Sequence, residues 1–340
     1  MQQSSTTDGF SRVANLVRGY QVSKMIEVAC SLELADRINS TALPVRELAT
    51  ECGANADMLL RLLRALAAFG LFEVSEDHLI SHSEDSRWLR KDSVPTLHYA
   101  ARYWAMPSTW TVWGVADHAI RTGEAPFEHE FQEPYFEYLQ KRASEAAIFN
   151  AFMQNSPDDR HAAVVDAYDF SAARLVVDVG GGNGALLAAI LVANPKLRGL
   201  LFDQPSVVSA APAVLGNLSR RCAIEAGSFF DFVPKGGDIY TLSLILHDWD
   251  DARCVEILKL CRSAIREPGR LVVIERVLDT RPGETDPMDF LTDMHMMMLF
   301  PGARERTLSE FAALFRDAGF GEPTRIRTRS VHSILEARPV

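Results

Sequence analysis

Seven residues, Asp178-Val179-Gly180-Gly181-Gly182-Asn183-Gly184, directly follow the apolar run LVV and constrain the fold more than any other feature of the chain. Glycines spaced this closely let the backbone leave a buried strand, turn sharply and place the next helix N-terminus close to a ligand. The stretches around them agree. RLVVDVG, ALLAAILVAN, LRGLLFD, PSVVSAAPAVLG, RCAIEAG, DIYTLSLILHD, DARCVEILKLCRSAI and RLVVIERVL alternate short strand-like and helical patterns. Such alternation is expected of parallel strands joined by crossover helices, so residues 166–340 are read as an α/β domain with a Rossmann-like sheet. An apolar, Met-rich helix at about 287–300 follows. TLSEFAALFRDAGF, RIRTRS and HSILEAR then add another helix and a final pair of strands.

The first part of the chain has a different rhythm. After Pro44, VRELATECG reads as a helix, and Asn55 as the N-cap of the next. Leu59, Leu62, Leu63, Leu66 and Phe69 then fall on one face at i, i+3, i+4 spacing. LFEVSEDHLISHS reads as two short strands about a turn. Helix, turn, helix and hairpin make a winged-helix module over 1–95. Residues 1–92 carry ten Lys and Arg against thirteen Asp and Glu, and the whole chain has a formal net charge of -10. That is the wrong sign for gripping phosphates, so no nucleic acid partner is expected. Residues 96–165 read as long, aromatic-rich helices that link the two parts and contribute to a substrate pocket.

At 340 residues the chain is long enough for two domains, and 47% hydrophobic residues supply a real core. The longest apolar run, Ala185 to Ala193, is far short of a membrane span. MQQSSTTDGF lacks the charged-then-apolar layout of a signal peptide. The five cysteines form no CxxC pair, which speaks against a disulfide framework or a thiolate metal site. The expectation is a cytoplasmic protein with free thiols, no structural metal and no membrane partner.

Chemistry is carried by the strand ends, because ligands in open α/β sheets lie across the carboxyl edge. Asp178 closes the first strand. Gly180, Gly182 and Ala185 also satisfy GxGxxA, and Asp203, about 20 residues further on, is placed to bond a ribose diol. A nicotinamide cofactor and S-adenosylmethionine both present that diol. The third strand leads into Gly227-Ser228-Phe229-Phe230-Asp231, which offers a flat apolar face and polar groups for adenine. The fourth leads through Ser243 to His247-Asp248-Trp249, which puts an imidazole at the edge of the crevice. Methyl transfer from a sulfonium needs aligned reactants and removal of the acceptor's proton. A phenol ionises near ~10 and an ordinary histidine near ~6.5, so this base needs a carboxylate behind it. Glu275, ending the fifth strand, and Glu305, in the loop sequence RERT, are the candidates.

Taken together, DVGGGNG, FDQP, GSFFDFVP, LHDWDD, IERVL and GARERT resemble, in order and spacing, the plant- and bacterial-type small-molecule O-methyltransferases, the group of the caffeic acid and hydroxyindole enzymes. VSKMIEVACSLELADRI, WGVADHAIRTGEAPF and AALFRDAGF extend the resemblance over nearly the whole chain. It implies a class I methyltransferase sheet behind a winged-helix dimerisation domain, a homodimer, and metal-independent methylation of an aromatic hydroxyl, with S-adenosyl-L-homocysteine as product. It also implies Gly180, Asp203, Ser228, Phe229 and Ser243 as cofactor contacts, His247 as base, and Glu275 and Glu305 as the acids beside it. Plant members commonly carry Asp where this chain has Ser228 and Lys where it has Ser243, and Asp231 is expected to compensate. Alternatives on the same fold are S-adenosylmethionine-dependent hydroxylation or decarboxylation, or an N-methyl acceptor. The acceptor is expected to meet Trp104, Phe149, Met153, Asp248, Asp289, Met294 and Met298, since the Met-rich helix faces the crevice in that family.

Overall fold

Seven strands pair into one sheet in the order β6-β7-β5-β4-β1-β2-β3. They are β1 (Leu175–Val179), β2 (Arg198–Asp203), β3 (Cys222–Ala226), β4 (Ile239–Ser243), β5 (Arg270–Glu275), β6 (Thr324–Arg327) and β7 (Ser333–Ala337). The first five are mutually parallel, whereas β7 runs antiparallel to both β5 and β6. The computed structural model of the chain describes residues 3–38, 41–155, 159–281 and 286–340. The chain divides into two units, Met1–Thr111 with Leu139–Pro157, and Val112–Tyr138 with Asp158–Val340.

The sheet is covered on both faces, which is why its central strands read as nearly continuous apolar runs. Side chains alternate across a strand, and the core follows that alternation. Val177 and Val179 pack with Leu242, Ile257, Phe311 and Phe315 in one cluster, and Val176 packs with Leu187, Ile190, Ile274 and Ile334 in another. Four helices of this unit bear on the site: α1 (Ala185–Ala193), α2 (Asp251–Ala264), α3 (Pro287–Leu299) and α4 (Leu308–Asp317). The last starts with a capping box in which Thr307 and Glu310 satisfy each other's backbone N–H groups.

The other unit holds the winged-helix elements. Helices Val45–Cys52 and Ala56–Ala68 are followed by strands Glu73–Val74 and Leu79–Ser81, and Leu43–Pro44 adds a third strand. Leu59, Leu63 and Leu66 enter its core together with Leu60, while Leu62 is only half-buried and Phe69 is exposed. The helical face is therefore rotated slightly from the one periodicity selects, and Phe69 falls off its end as the C-cap.

The aromatic stretch differs more from expectation. In place of long helices it forms short ones, among them His98–Trp104, Pro107–Gly114, Ala116–Thr122, Pro126–Phe131, Tyr135–Lys141 and Ala143–Gln154. Proline starts two of them and glycine ends two, and these breakers cut the stretch into short helices. Among the described residues no helix is long and apolar enough to cross a membrane.

The Asn55 side chain accepts from the amides of Asp57 and Met58, both at 3.1 Å. Asn55→Ala is expected to lower stability by about 1 kcal/mol, read as a shift in denaturant midpoint at unchanged slope.

Candidate active site

The carboxyl edge of the sheet is tied together by the glycine loop. Gly180 and Gly182 take φ of +67° and +61°, in the left-handed region that favours glycine. A Cβ on Gly180 would fall 2.5 Å from the Ile245 side chain and 3.3 Å from Phe229, so the segments after β3 and β4 close on this point. The Gly182 amide donates to Asp203 Oδ2 at 2.8 Å, and the Gln204 amide to Asp203 Oδ1 at 2.6 Å. A carboxylate anchored in this way keeps further lone pairs for a diol. Burial raises the Asp203 pKa, with the two amides acting against it.

Asp178 lies fully buried beneath the loop. Its Oδ1 accepts from the Thr241 hydroxyl at 2.6 Å, and a Cβ on Gly181 would fall 2.6 Å from its Oδ2. Burial pushes its pKa up to about 7. On the far side of the loop the Ser228 hydroxyl accepts from the Phe230 amide at 3.2 Å, while Asp231 is exposed. Phe229 and Phe230 both meet the Trp249 ring edge-on, at 6.2 Å and 4.7 Å, and the Arg253 guanidinium stands 4.8 Å from the Phe230 ring. Ser243 ends β4 and is half-buried.

The strand stops four residues short of His247, earlier than its apolar run implies. Leu244 takes φ +54°, unusual for a branched side chain, and the chain then makes a single short helical turn at Leu246–Asp248. Glu275 Oε1 holds that turn by accepting from the amides of Ile245 at 3.0 Å and Leu246 at 2.8 Å. His247 Nδ1 lies 2.9 Å from Glu305 Oε1 and 3.9 Å from Glu275 Oε2, and its Nε2 lies 3.5 Å from Asp248 Oδ1. Glu305 is itself aimed by its amide, which donates to Asp293 Oδ1 on α3 at 2.8 Å.

Burial alone would lower the His247 pKa, but the charges of Glu275, Glu305 and Asp248 outweigh it and push it up to about 10. Burial pushes Glu275 up to about 7 and Asp248 to about 6, each opposed by the His247 charge. The three groups share protons as one cluster.

His247, Glu275 and Glu305 are also the one group among the described residues whose ligand atoms all lie within 4.8 Å of one another. The 2.9 Å contact of Nδ1 with a carboxylate oxygen is a proton-sharing distance, and Glu275 already serves two amides. The Oε1 atoms of both glutamates are thus engaged by the imidazole or by backbone, while Glu275 Oε2 and Glu305 Oε2 are buried without a hydrogen-bond partner and face the ring by charge alone.

Two neighbours were not visible in the sequence pattern. His295 of α3 is fully buried, and burial together with the nearby His247 charge pushes its pKa down to about 3, so it is neutral. Its Nδ1 lies 3.3 Å from the Trp113 indole nitrogen, which is a donor only, so the ring hydrogen sits on Nε2. On the same helix Met298 is wholly buried, Met294 is half-buried, and Asp289 is paired with Arg276. Trp104, Phe149 and Met153 belong to the other unit. There Tyr103 meets Trp104 at 5.1 Å and Phe149 at 6.1 Å, and Met153 is half-buried.

Comparison with known proteins places this geometry. The O-methyltransferase domain family matches residues 113–321, and the O-methyltransferase dimerisation domain matches residues 14–92. The chain is 39% identical over 332 residues to the phenazine O-methyltransferase PhzM of Lysobacter antibioticus, covering 97% of this chain and 96% of that protein. It is 37% identical to the O-demethylpuromycin-O-methyltransferase of Streptomyces alboniger, over 97% and 89% of the two chains. It is also similar to the crystal structure of NcsB1, an O-methyltransferase from neocarzinostatin biosynthesis in complex with S-adenosylmethionine and 2-hydroxy-5-methyl naphthoic acid. That similarity has a TM-score of 0.81 and 32% identity, over 94% and 96% of the chains. The donor supplies an already activated methyl group, so the chain's own task is to align acceptor and donor and to remove a proton. A class I sheet with a glycine loop, a strand-end imidazole backed by carboxylates and an N-terminal dimerisation domain thus have one explanation: the chain belongs to the O-methyltransferase family and is an S-adenosylmethionine-dependent enzyme.

Proposed function

We propose that this enzyme methylates a hydroxyl on an aromatic small molecule, with His247 as general base, as part of natural-product biosynthesis. The observation that carries the reading is the 2.9 Å contact of His247 Nδ1 with Glu305. It holds a hydrogen on Nδ1 and leaves Nε2 as the atom that takes the acceptor's proton. Relatives named for phenazine and bound to a naphthoic acid support an aromatic acceptor. Of the candidate acceptor contacts, Asp248, Asp289, Met294 and Met298 share the unit of His247. Asp248 and Met294, both half-buried, are the ones assigned to the acceptor, while Met298 is wholly buried and Asp289 is paired with Arg276. Thioether side chains adapt to flat, irregular ligands.

On this reading Gly180 and Gly182 let the backbone approach the cofactor, and Asp178 supports the loop from below. Asp203 takes the ribose diol, Ser228, Phe229 and Asp231 lie at the adenine, and Ser243 at the methionine end. Glu305 orients the base and Glu275 shapes the turn that carries it. The enzyme works in the cytoplasm as a homodimer paired through its N-terminal domain, with neither nucleic acid nor a membrane as partner.

The test is calorimetric titration with S-adenosylhomocysteine, followed by product mass on phenolic acceptors. Micromolar binding and a gain of one methyl group are expected, and failure to bind would sink the assignment. His247→Ala is expected to reduce kcat by roughly 10²- to 10⁴-fold while S-adenosylhomocysteine affinity is kept. Unchanged turnover would remove His247 from the reaction.

The pH profile follows from the charges around the ring: Glu275, Glu305 and Asp248 raise its pKa, the neutral His295 adds no charge, and burial opposes them. A base must be unprotonated, so a pKa raised to about 10 makes kcat rise with pH through the neutral and alkaline range. Glu305→Gln removes one of the raising charges, so its limb is expected at lower pH than that of the wild type on the same acceptor. A limb that stays in place would contradict the role given to Glu305.

A further inference from the structure

We propose that Arg306 is a positioning residue for methyl transfer, its buried guanidinium holding the carbonyls of the turn that carries His247 while Glu275 holds its amides. Arg306 has no exposed surface, and it is the bulkiest of the fully buried side chains. Removing a guanidinium from water is tolerated only when its donors are engaged. Here they are spent on the catalytic turn. Nη1 donates to Leu246 O at 2.8 Å and Nη2 to Trp249 O at 2.7 Å, which brackets His247 and Asp248 in sequence. Nε and Nη2 also donate to Asp251 Oδ1, at 3.0 Å and 2.8 Å, at the first residue of α2.

The neighbouring positions act on the same turn. The Arg304 amide donates to His247 O at 3.0 Å, and the Glu305 carboxylate meets the ring itself. Residues Arg306 and Thr307 pair in parallel with Val277 and Leu278, which lie just beyond Glu275. One short segment thus grips the His247 ring and the carbonyls of Leu246, His247 and Trp249, while Glu275 takes the amides of Ile245 and Leu246.

Such a clamp is needed because the turn contains Leu244 at φ +54°, a conformation the surroundings must enforce. A planar fork reaches three acceptors at fixed angles, whereas an ammonium has the charge without that geometry. Arg306→Lys therefore separates position from charge. With its carbonyls released, the turn lets His247 move relative to Glu305 and to the acceptor, and displacements on the order of 1 Å cost up to roughly 10²-fold in rate.

This inference rests on His247 acting as the base, and the experiment keeps the two apart. For Arg306→Lys we expect kcat to fall roughly 10- to 100-fold, S-adenosylhomocysteine affinity to stay within about threefold, and the kcat limb to move to lower pH as Glu305 loses its hold. In the His247→Ala background the same substitution is expected to have no further effect on kcat, because the two act as one unit. A folded Arg306→Lys enzyme with wild-type kcat and pH limb overturns the proposal, as does an equal loss of kcat and cofactor affinity, which would mark a general collapse. Full turnover in His247→Ala overturns the base itself. Should Arg306→Lys fail to fold, Asp251→Ala decides. It removes one anchor of the guanidinium from a half-exposed carboxylate, and a several-fold fall in kcat with S-adenosylhomocysteine affinity retained is expected. Unchanged kcat there overturns the proposal.

Discussion

Glu275 accepts from two consecutive amides, those of Ile245 and Leu246, and this decides where the chain goes after β4. A strand that continued past Ser243 would keep pairing with β5 and carry His247 along the sheet direction. Instead the buried carboxylate gathers both N–H groups, Leu244 is driven into the left-handed region, and His247 is delivered at the carboxyl edge of the sheet. The same movement presses Ile245 onto Gly180, so the glycine loop and the imidazole are placed by one contact layer. Adding a side chain at Gly180 would disturb both.

Three carboxyl groups around one imidazole is an excess of negative charge in a low-dielectric place, and the arrangement works because each has a separate employment. One oxygen of Glu275 serves the backbone. Glu305 meets Nδ1, and its own amide is fixed by Asp293. Asp248 lies on the Nε2 side at 3.5 Å, where burial raises its pKa to about 6. His295, kept neutral by its surroundings, adds no second cation to compete for them.

Much of this was legible in the sequence where local rules are strong. The glycine cluster, the alternating strands and the winged-helix pattern lead to the observed sheet and hairpin, because turn chemistry and apolar period are read over short windows. Glu305 was legible as a candidate carboxylate in the loop sequence RERT, and it does meet His247. Arg306, one position later, was not. Three charged residues in RERT look alike in sequence, yet Arg304 stays at the surface side with Asp251, while Arg306 is wholly buried. Which arginine turns inward depends on its register against Val277–Leu278, a long-range pairing. The aromatic stretch differs from the long helices expected for the opposite reason, since local prolines and glycines cut it into short ones.

With His247 as the proposed base, the acid cluster also answers a chemical problem that position alone does not. A phenol ionises near ~10, so proton transfer to an ordinary imidazole of pKa ~6.5 is uphill by roughly 5 kcal/mol at about 1.4 kcal/mol per unit. Raising the imidazole pKa to about 10 brings donor and acceptor close to balance. The penalty is that the free base is mostly protonated at neutral pH, which lowers the competent fraction. An S-adenosylmethionine enzyme tolerates this better than most, because the sulfonium is already activated and the phenolate, once formed, needs only alignment. A strong base that is seldom free and a weak base that is always free are alternative solutions to the same barrier. The carboxylates gathered at His247, and the backbone clamps that keep them within reach of it, belong to the first.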